Sequence, residues 1–162
     1  MQRWEELARQ MRKEPLILDL RISGLDLKKI YDQGMAVIKE FEGEIIAFRG
    51  LWPARGNGCL EMGGFWIKPE WRGRKLGSRI MGEIYALFPE NKTVFVVTRN
   101  PKVIHLLRKH KWQEAGRRDW DAVIPFQASC GPCNQCPENE KQDCPLRAKQ
   151  DGCKLFYYTA GS

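Results

Sequence analysis

The chain has 162 residues, of which 43% are apolar, and this length and composition suit one domain with a hydrophobic core. No stretch approaches the roughly 18–20 consecutive apolar residues of a membrane-spanning helix, so we expect no membrane partner. The formal net charge of +7 leaves a basic surface, a nucleic acid or an acidic ligand as interpretations. We favour the ligand because one dense basic cluster stands out, at Arg72, Arg74, Lys75 and Arg79.

The N-terminal third is predicted to begin with two helices. Residues 2–13 carry apolar side chains at helical spacing, as an amphipathic helix and not as a secretory signal, so a cytoplasmic location is expected. Residues 15–22 fit either a strand or a buried helical turn, and Ser23-Gly24 is expected to interrupt the pattern. A short helix from Asp26 to Asp32 is expected to end at Gly34.

Three strands are predicted next, at residues 35–41, 44–52 and 60–67. Glu42-Gly43 is a hairpin-turn signal between the first two, and residues 53–58 are expected to form a loop before the third. Gly63-Gly64 lies inside the third strand, where glycine often marks a bulge or a close backbone approach.

The most informative segment is residues 66–78, Trp-Ile-Lys-Pro-Glu-Trp-Arg-Gly-Arg-Lys-Leu-Gly-Ser. An apolar strand ends near a proline, and a basic, glycine-containing turn then leads into a helix expected to reach about Phe88. The first N–H groups of a helix have no partner within it and lie at the positive end of its dipole. This turn, residues 72–78 (the phosphate turn), therefore predicts a site for a phosphate or pyrophosphate.

The remaining predicted elements complete a mixed α/β (α+β) fold. Residues 93–98 form a β-branched run typical of a buried strand, and Asn100-Pro101 is expected to begin a helix through about Lys109. Two short strands are predicted at residues 112–115 and 120–125, around a turn at 117–119. The composition changes after Phe126, so we expect a main domain at 1–126 and a cysteine-rich extension at 127–162 packed on it.

The extension holds five of the six cysteines, with two residues between each of the first three. Such spacing lets thiolates reach one metal centre, and a tetrahedral Zn²⁺ and an iron–sulfur cluster fit it about equally well. Free thiols or a disulfide-linked tail remain as the alternative. Residues 155–158 are apolar enough to add a strand or to dock on the core. The candidate metal ligands are Cys130, Cys133, Cys136, Cys144 and Cys153.

These features together resemble the GNAT family of acetyl-CoA-dependent N-acetyltransferases. The family's phosphate loop reads Gln/Arg-x-x-Gly-x-Gly/Ala, and residues 72–77 read Arg-Gly-Arg-Lys-Leu-Gly, with Lys75 in place of the first motif glycine. The family also has an asparagine before a later helix and a Gly-aromatic pair after it, which correspond to Asn100 and Lys111-Trp112. The resemblance covers about residues 15–125 and implies the GNAT fold, with a mixed, mostly antiparallel sheet flanked by helices.

The resemblance implies that acetyl-CoA lies across the phosphate turn. Its pyrophosphate would accept hydrogen bonds from backbone N–H groups, its pantetheine arm would pair with the strand edge, and Asn100 would bond to the arm from the other side. Trp66 and Trp71 would flank the cofactor path, and the side chain of Lys75 is expected to point outward, toward the phosphates. The implied cofactor-binding residues are Trp66, Ile67, Arg72, Gly73, Arg74, Lys75, Leu76, Gly77, Ser78 and Asn100.

In this chemistry a neutral amine attacks the thioester carbonyl, so a general base helps, and an acid helps the departing thiolate. Glu61 is the base candidate because the family often has a carboxylate near the start of this strand, but an ordinary solvent-facing glutamate is an equal interpretation. The family's usual acid is a tyrosine, and Leu107 occupies its position. His110, three residues later on the same helical face, is the replacement candidate, with a surface or packing histidine as the alternative.

The sequence thus predicts transfer of an acetyl group from acetyl-CoA to a primary amine on a small molecule, peptide or protein. A non-catalytic module of the same fold, which binds CoA or senses a metal, is the main alternative. A nucleic-acid-binding protein ranks third because no basic–aromatic recognition motif is present. A homodimer is left open.

Overall fold

The structure, a computed structural model, describes residues 1–17, 22–54, 58–116, 120–124 and 152–159. The chain divides into two compact units, and unit 1 comprises Met1–Trp52 and Met62–Pro89, while unit 2 comprises Pro53–Glu61 and Glu90–Ser162. The elements are α1 (Gln2–Met11), α2 (Gly24–Asp32), β1 (Ala36–Phe41), β2 (Glu44–Pro53), β3 (Leu60–Ile67), a 3₁₀ turn (Pro69–Trp71), α3 (Leu76–Tyr85), β4 (Thr93–Thr98), α4 (Pro101–Lys109), β5 (Gln113–Glu114), α5 (Trp120–Val123) and β6 (Lys154–Thr159). The strands hydrogen-bond in the order β1-β2-β3-β4-β6-β5. No helix in the described ranges is long and apolar enough to cross a membrane.

In unit 1, α1 and α2 bury one apolar face each. The predicted apolar face of α1 is confirmed, since its members are at most 2% exposed. The predicted helix from Asp26 begins two residues earlier, at Gly24, because the non-helical Ser23 caps α2, its hydroxyl accepting from the Asp26 backbone N–H at 3.0 Å. An N-cap hydroxyl satisfies a helix donor that would otherwise have no partner. The residues of the α1 face are Trp4, Leu7, Ala8 and Met11.

The predicted hairpin of β1 and β2 is also confirmed. The two strands pair antiparallel from Ala36 with Gly50 to Phe41 with Glu44. Glu42 and Gly43 both have positive φ, at 49° and 80°, the geometry of a type I′ turn that matches the twist of paired strands. Within β2, the Ile46 carbonyl accepts a hydrogen bond from the Lys68 N–H at 2.9 Å.

The core of unit 1 forms where the helices cover β2 and β3. Phe48 of β2 and Trp66 of β3 join the apolar faces of α1 and α2 in one cluster. Gly64 of β3 has φ +63°, and a Cβ there would lie 3.2 Å from both the Met11 and the Phe48 side chains. The predicted close backbone approach at this glycine is therefore confirmed, and its neighbours are protein side chains.

Unit 2 is built around β4, which is buried along most of its length. The first two residues of β3 pair with β4 in parallel, Leu60 with Val94 and Glu61 with Phe95. On its other side β4 pairs antiparallel with β6 through six residue pairs, from Thr93 with Thr159 to Thr98 with Lys154. Of the two expectations for residues 155–158, an added strand or docking on the core, the strand is confirmed, as part of β6 between β4 and β5.

The predicted second hairpin of unit 2 is wrong. β5 pairs antiparallel with β6, and residues 120–123 are helical. Trp120 and Ile124 are both buried, and the Ile124 N–H donates to the Trp120 carbonyl at 2.9 Å, as in a helical turn. A helical turn brings residues four apart to the same side, which lets both apolar side chains be buried together. The predicted turn at 117–119 lies outside the described residues.

The helix predicted after Asn100-Pro101 is confirmed. The Asn100 side chain accepts from the Lys102 N–H at 3.0 Å, with proline at the first helical position. At the other end, Trp112 N–H donates to the Leu107 carbonyl at 3.1 Å and Lys111 N–H to the Arg108 carbonyl at 3.0 Å. These two bonds form a Schellman motif, whose key residue is left-handed, and Lys111 has φ 59°.

Candidate phosphate-binding turn and acetyl-transfer residues

The phosphate turn lies in unit 1, between the 3₁₀ turn and α3. Two of its residues have left-handed backbones, Gly73 at φ 78° and Lys75 at φ 61°. The first helical bond runs from the Arg79 N–H to the Lys75 carbonyl at 3.2 Å, so the N–H groups of the first turn precede the regular hydrogen-bonded helix. Left-handed residues before a helix turn successive N–H groups toward one side of the chain. The backbone therefore fits an anion, as the sequence predicts.

The left-handed conformation of Lys75 explains why the family motif has glycine there. A left-handed backbone costs a residue other than glycine roughly 1–2 kcal/mol of conformational free energy, whereas it costs glycine little. The Lys75 side chain is exposed, which agrees with the expected outward orientation. The backbone thus has the conformation that the motif requires, without the motif residue.

The cations near the turn divide into paired and unpaired ones. Arg72 is paired, since Nη2 donates to the Glu14 carboxylate and Nε donates to the Ile67 carbonyl at 2.9 Å. Lys68 is paired too, and its hydrogen bonds to Glu44 and Glu70 raise its pKa. Three exposed cations have no ion-pair partner among the described residues, and they are Arg74, Lys75 and Arg79.

Close packing of α3 on β3 sets the position of the turn. A Cβ at Gly77 would lie 3.2 Å from Cζ of Phe65, so glycine allows the start of α3 to touch the strand. Trp66 is 3% exposed and belongs to the core of unit 1, and its predicted place beside the cofactor path remains a prediction. Ile67 is half-buried, and its carbonyl is already bonded to Arg72. The predicted pairing of this strand edge with the pantetheine arm remains a prediction.

The other predicted site residues lie in unit 2. Asn100 is half-buried, and its side-chain oxygen caps α4, which is a structural reason for an asparagine at this position. Glu61 is half-buried in β3, and His110 is half-buried at the C-terminal cap of α4. Leu107 is fully buried, so the position of the family's usual acid is part of the hydrophobic core.

Only one of the five candidate metal ligands lies in the described residues. Cys153 precedes β6 and is 9% exposed, whereas Cys130, Cys133, Cys136 and Cys144 lie outside the described ranges. Within the described ranges, no group of three or more His, Cys, Asp or Glu side chains could hold a metal ion.

One functional group in unit 1 was not singled out from the sequence. Arg49 of β2 is 1% exposed, and its guanidinium lies 4.5 Å from the centroid of the Phe65 ring. Its Nε and Nη1 have no hydrogen-bond partner among the described residues. Burial lowers the pKa of Arg49 to about 9, and the nearby Tyr85 opposes this shift. The available signal was a charged residue inside the otherwise apolar run from Ile45 to Trp52.

Comparison with known proteins identifies the family. The chain matches the model of the Acetyltransferase (GNAT) family over residues 2–112. A search of curated proteins finds no match. The match covers more than half of the chain, so the protein belongs to the GNAT acetyltransferase family.

Solved structures share this fold. An N-acetylglutamate synthase from Neisseria gonorrhoeae, complexed with coenzyme A and N-acetyl-glutamate, has a TM-score of 0.59 at 13% identity over 100% of this chain. This chain spans 33% of that synthase. A GNAT acetyltransferase from Streptococcus pneumoniae has a TM-score of 0.59 at 12% identity, covering 99% of this chain and 95% of its own. Rv2747 from Mycobacterium tuberculosis, in complex with CoA and NLQ, has a TM-score of 0.57 at 11% identity, covering 98% and 94%. The expected fold is therefore confirmed.

Proposed function

We propose that this protein transfers the acetyl group of acetyl-CoA to a primary amine, and that the phosphate turn binds the cofactor's pyrophosphate. The observation that carries the proposal is the start of α3, where two left-handed residues precede the first helical turn. Arg74 and Lys75 on this turn and Arg79 directly after it, none with an ion-pair partner in the described part of the chain, add the charge that a polyanion needs. Membership of the GNAT family and CoA-complexed structures of the same fold support the choice of CoA.

The backbone of this turn supplies a direct test. Gly73→Ala should weaken CoA binding about 10-fold, because a left-handed alanine is disfavoured by roughly 1–2 kcal/mol and the turn shifts to other conformations. Gly34→Ala is the matched control, since Gly34 has φ +69° and a Cβ at either glycine would meet nothing within 4 Å. Calorimetric titration with CoA should show the loss in the first variant alone. Equal affinity in both variants would contradict binding at this turn.

When bound, acetyl-CoA supplies an activated acetyl group, and the chain's own residues must prepare the amine. We propose Glu61 as the base that accepts the amine proton and His110 as the acid that protonates the thiolate. A positioned base or acid contributes typically 10²–10⁴-fold. Glu61→Gln should therefore lower kcat at least about 100-fold and leave the Kd for CoA unchanged. Unchanged kcat would make Glu61 an ordinary strand residue.

The acceptor class and the catalytic status can be tested together. Thiol release from acetyl-CoA should be measured with panels of small amines, peptides and proteins. Release with at least one amine supports the enzyme. CoA binding without release for any amine would favour the non-catalytic module.

The cytoplasmic location stays a prediction.

We also propose, from the cysteine spacing alone, that the extension binds a zinc ion or an iron–sulfur cluster. Metal analysis and visible absorption of the purified protein distinguish the two, because only the cluster is coloured. Cys133→Ser should abolish the metal, whereas Cys59→Ser, a cysteine outside the extension, should retain it. Metal-free protein from metal-supplemented, anaerobic preparation would refute the site.

A further inference from the structure

Arg49 is a buried cation on the face of the unit 1 sheet that α3 covers. Successive residues of a strand point to opposite faces, and Phe48 packs with α1 and α2, so the Arg49 side chain points toward α3. Its guanidinium lies 4.5 Å from the centroid of the Phe65 ring. The same ring touches the start of α3, because a Cβ at Gly77 would lie 3.2 Å from its Cζ. One phenyl ring therefore separates the Arg49 charge from a residue of the phosphate turn.

The charge of Arg49 is not balanced by its neighbours in the described residues. Val37, its cross-strand partner on β1, is apolar, and Nε and Nη1 have no hydrogen-bond partner there. Glu83, the acidic residue of α3, is bound by Lys39 of β1 at 2.7 Å. Burial lowers the pKa of Arg49 to about 9, and only the smaller, opposing effect of Tyr85 on α3 favours the charged form.

A buried and unbalanced charge calls for an explanation, because it lowers the stability of the fold. An anion bound at the phosphate turn supplies one, since it would place negative charge on the other side of the Phe65 ring. Salt screens exposed cations such as Arg74 and Arg79, whereas it screens a buried charge much less. Arg49 can therefore act on an anion that it does not touch.

We propose that the buried charge of Arg49 strengthens the binding of CoA's pyrophosphate at the phosphate turn, across the Phe65 ring and without contact. This inference rests on the proposed function, and it gives that site a supporting residue from beneath α3. A unit charge at this separation should change the Kd for CoA roughly 5-fold, which is about 1 kcal/mol.

Calorimetric titrations with CoA test this charge in the wild type and in Arg49→Met, at pH 7.5 and at pH 10. At pH 7.5 the variant should bind CoA roughly 5-fold more weakly. At pH 10 Arg49 of the free wild type is mostly neutral, because its pKa is about 9, so the two affinities should differ less than about 2-fold. A role in packing alone would give the same difference at both pH values.

Two further variants serve as controls. Arg9→Met removes an exposed positive charge from α1 and should change the Kd for CoA less than about 2-fold at either pH. Tyr85→Phe removes the hydroxyl near Arg49 and keeps the ring, whose centroid lies 5.0 Å from that of Phe88. Tyr85→Phe, made in the wild type and in Arg49→Met, should leave the pH-dependent difference in place.

Three results would overturn the inference. They are equal CoA affinity of the wild type and Arg49→Met at pH 7.5, a loss of the same size at both pH values, and a pH dependence that disappears with Tyr85→Phe. In each case the proposed function stands if the wild type binds CoA and Gly73→Ala weakens that binding. If the wild type does not bind CoA, both proposals fail.

Discussion

Arg49 is expected to destabilise the folded protein, so its replacement by methionine should stabilise it. The side chain is 1% exposed, and its Nε and Nη1 have no hydrogen-bond partner among the described residues. A buried charge without such partners loses hydration that the protein does not replace. Methionine has a similar length and no polar donor, and it keeps the space beside Phe65 filled.

The magnitude follows from the lowered pKa of Arg49. Burial lowers the pKa of Arg49 to about 9, which corresponds to about 5 kcal/mol against the charged form in the folded state. The contact of the guanidinium with the Phe65 ring, at 4.5 Å, offsets about 2 kcal/mol of this. Arg49→Met should therefore raise the free energy of unfolding by about 1–3 kcal/mol and the Tm by about 3–10 °C.

The effect should also depend on pH. Because the pKa of Arg49 is lower in the folded than in the unfolded state, the unfolded state binds more protons above about pH 9. The wild type therefore gains stability as the pH rises above about 9. The difference in the free energy of unfolding between Arg49→Met and the wild type then decreases by about 1 kcal/mol per pH unit. Below pH 9 this difference in the free energy of unfolding should be constant.

Urea unfolding of both proteins at pH 7, 9 and 10 measures these differences, with Arg9→Met as a control at an exposed position. The reasoning is refuted if Arg49→Met is less stable than the wild type at pH 7. A difference that does not change between pH 9 and 10 would also refute it, because the guanidinium would then keep its ordinary pKa.

Three further substitutions test local geometry by urea unfolding. Lys75→Gly and Lys111→Gly should each raise the free energy of unfolding by about 0.5–1 kcal/mol. Glycine removes the strain of the left-handed backbone at φ 61° and 59°, but part of this gain is offset because glycine loses more conformational entropy on folding. A loss of stability in either variant would show that the lysine side chain contributes more than its backbone strain costs. Ser23→Ala should lower the free energy of unfolding by about 1 kcal/mol, since the Asp26 N–H loses its cap at the start of α2. An unchanged value there would mean that the hydroxyl does not stabilise the helix.

Much of the fold could be predicted because its signals are local. The positive φ angles of Glu42 and Gly43 belong to a turn of two residues, and Asn100 with Pro101 begins a helix by capping and by a fixed φ. The strands at 60–67 and 93–98 have the predicted bounds. For residues 93–98 this follows from a β-branched run that needs no distant partner to be recognised.

The candidate site was predictable in outline only. The glycine-containing basic turn identified the start of α3, but the sequence could not show that Arg72 is paired with Glu14, 58 residues earlier. Nor could it show that Trp66 packs in the core while Trp71 joins Phe41, 30 residues away. Such contacts depend on where distant segments meet after folding.

What the sequence by itself determined is the family, the phosphate turn and the elements with strong local signals. Only the tertiary structure decided that Trp120–Val123 is helical and that β5 pairs with β6. It also decided that Arg49 is buried and that Lys75 and Lys111 adopt left-handed backbones. The physical reason is common to these cases: local conformational preferences of at most about 2 kcal/mol are outweighed when burial elsewhere in the chain stabilises the alternative more.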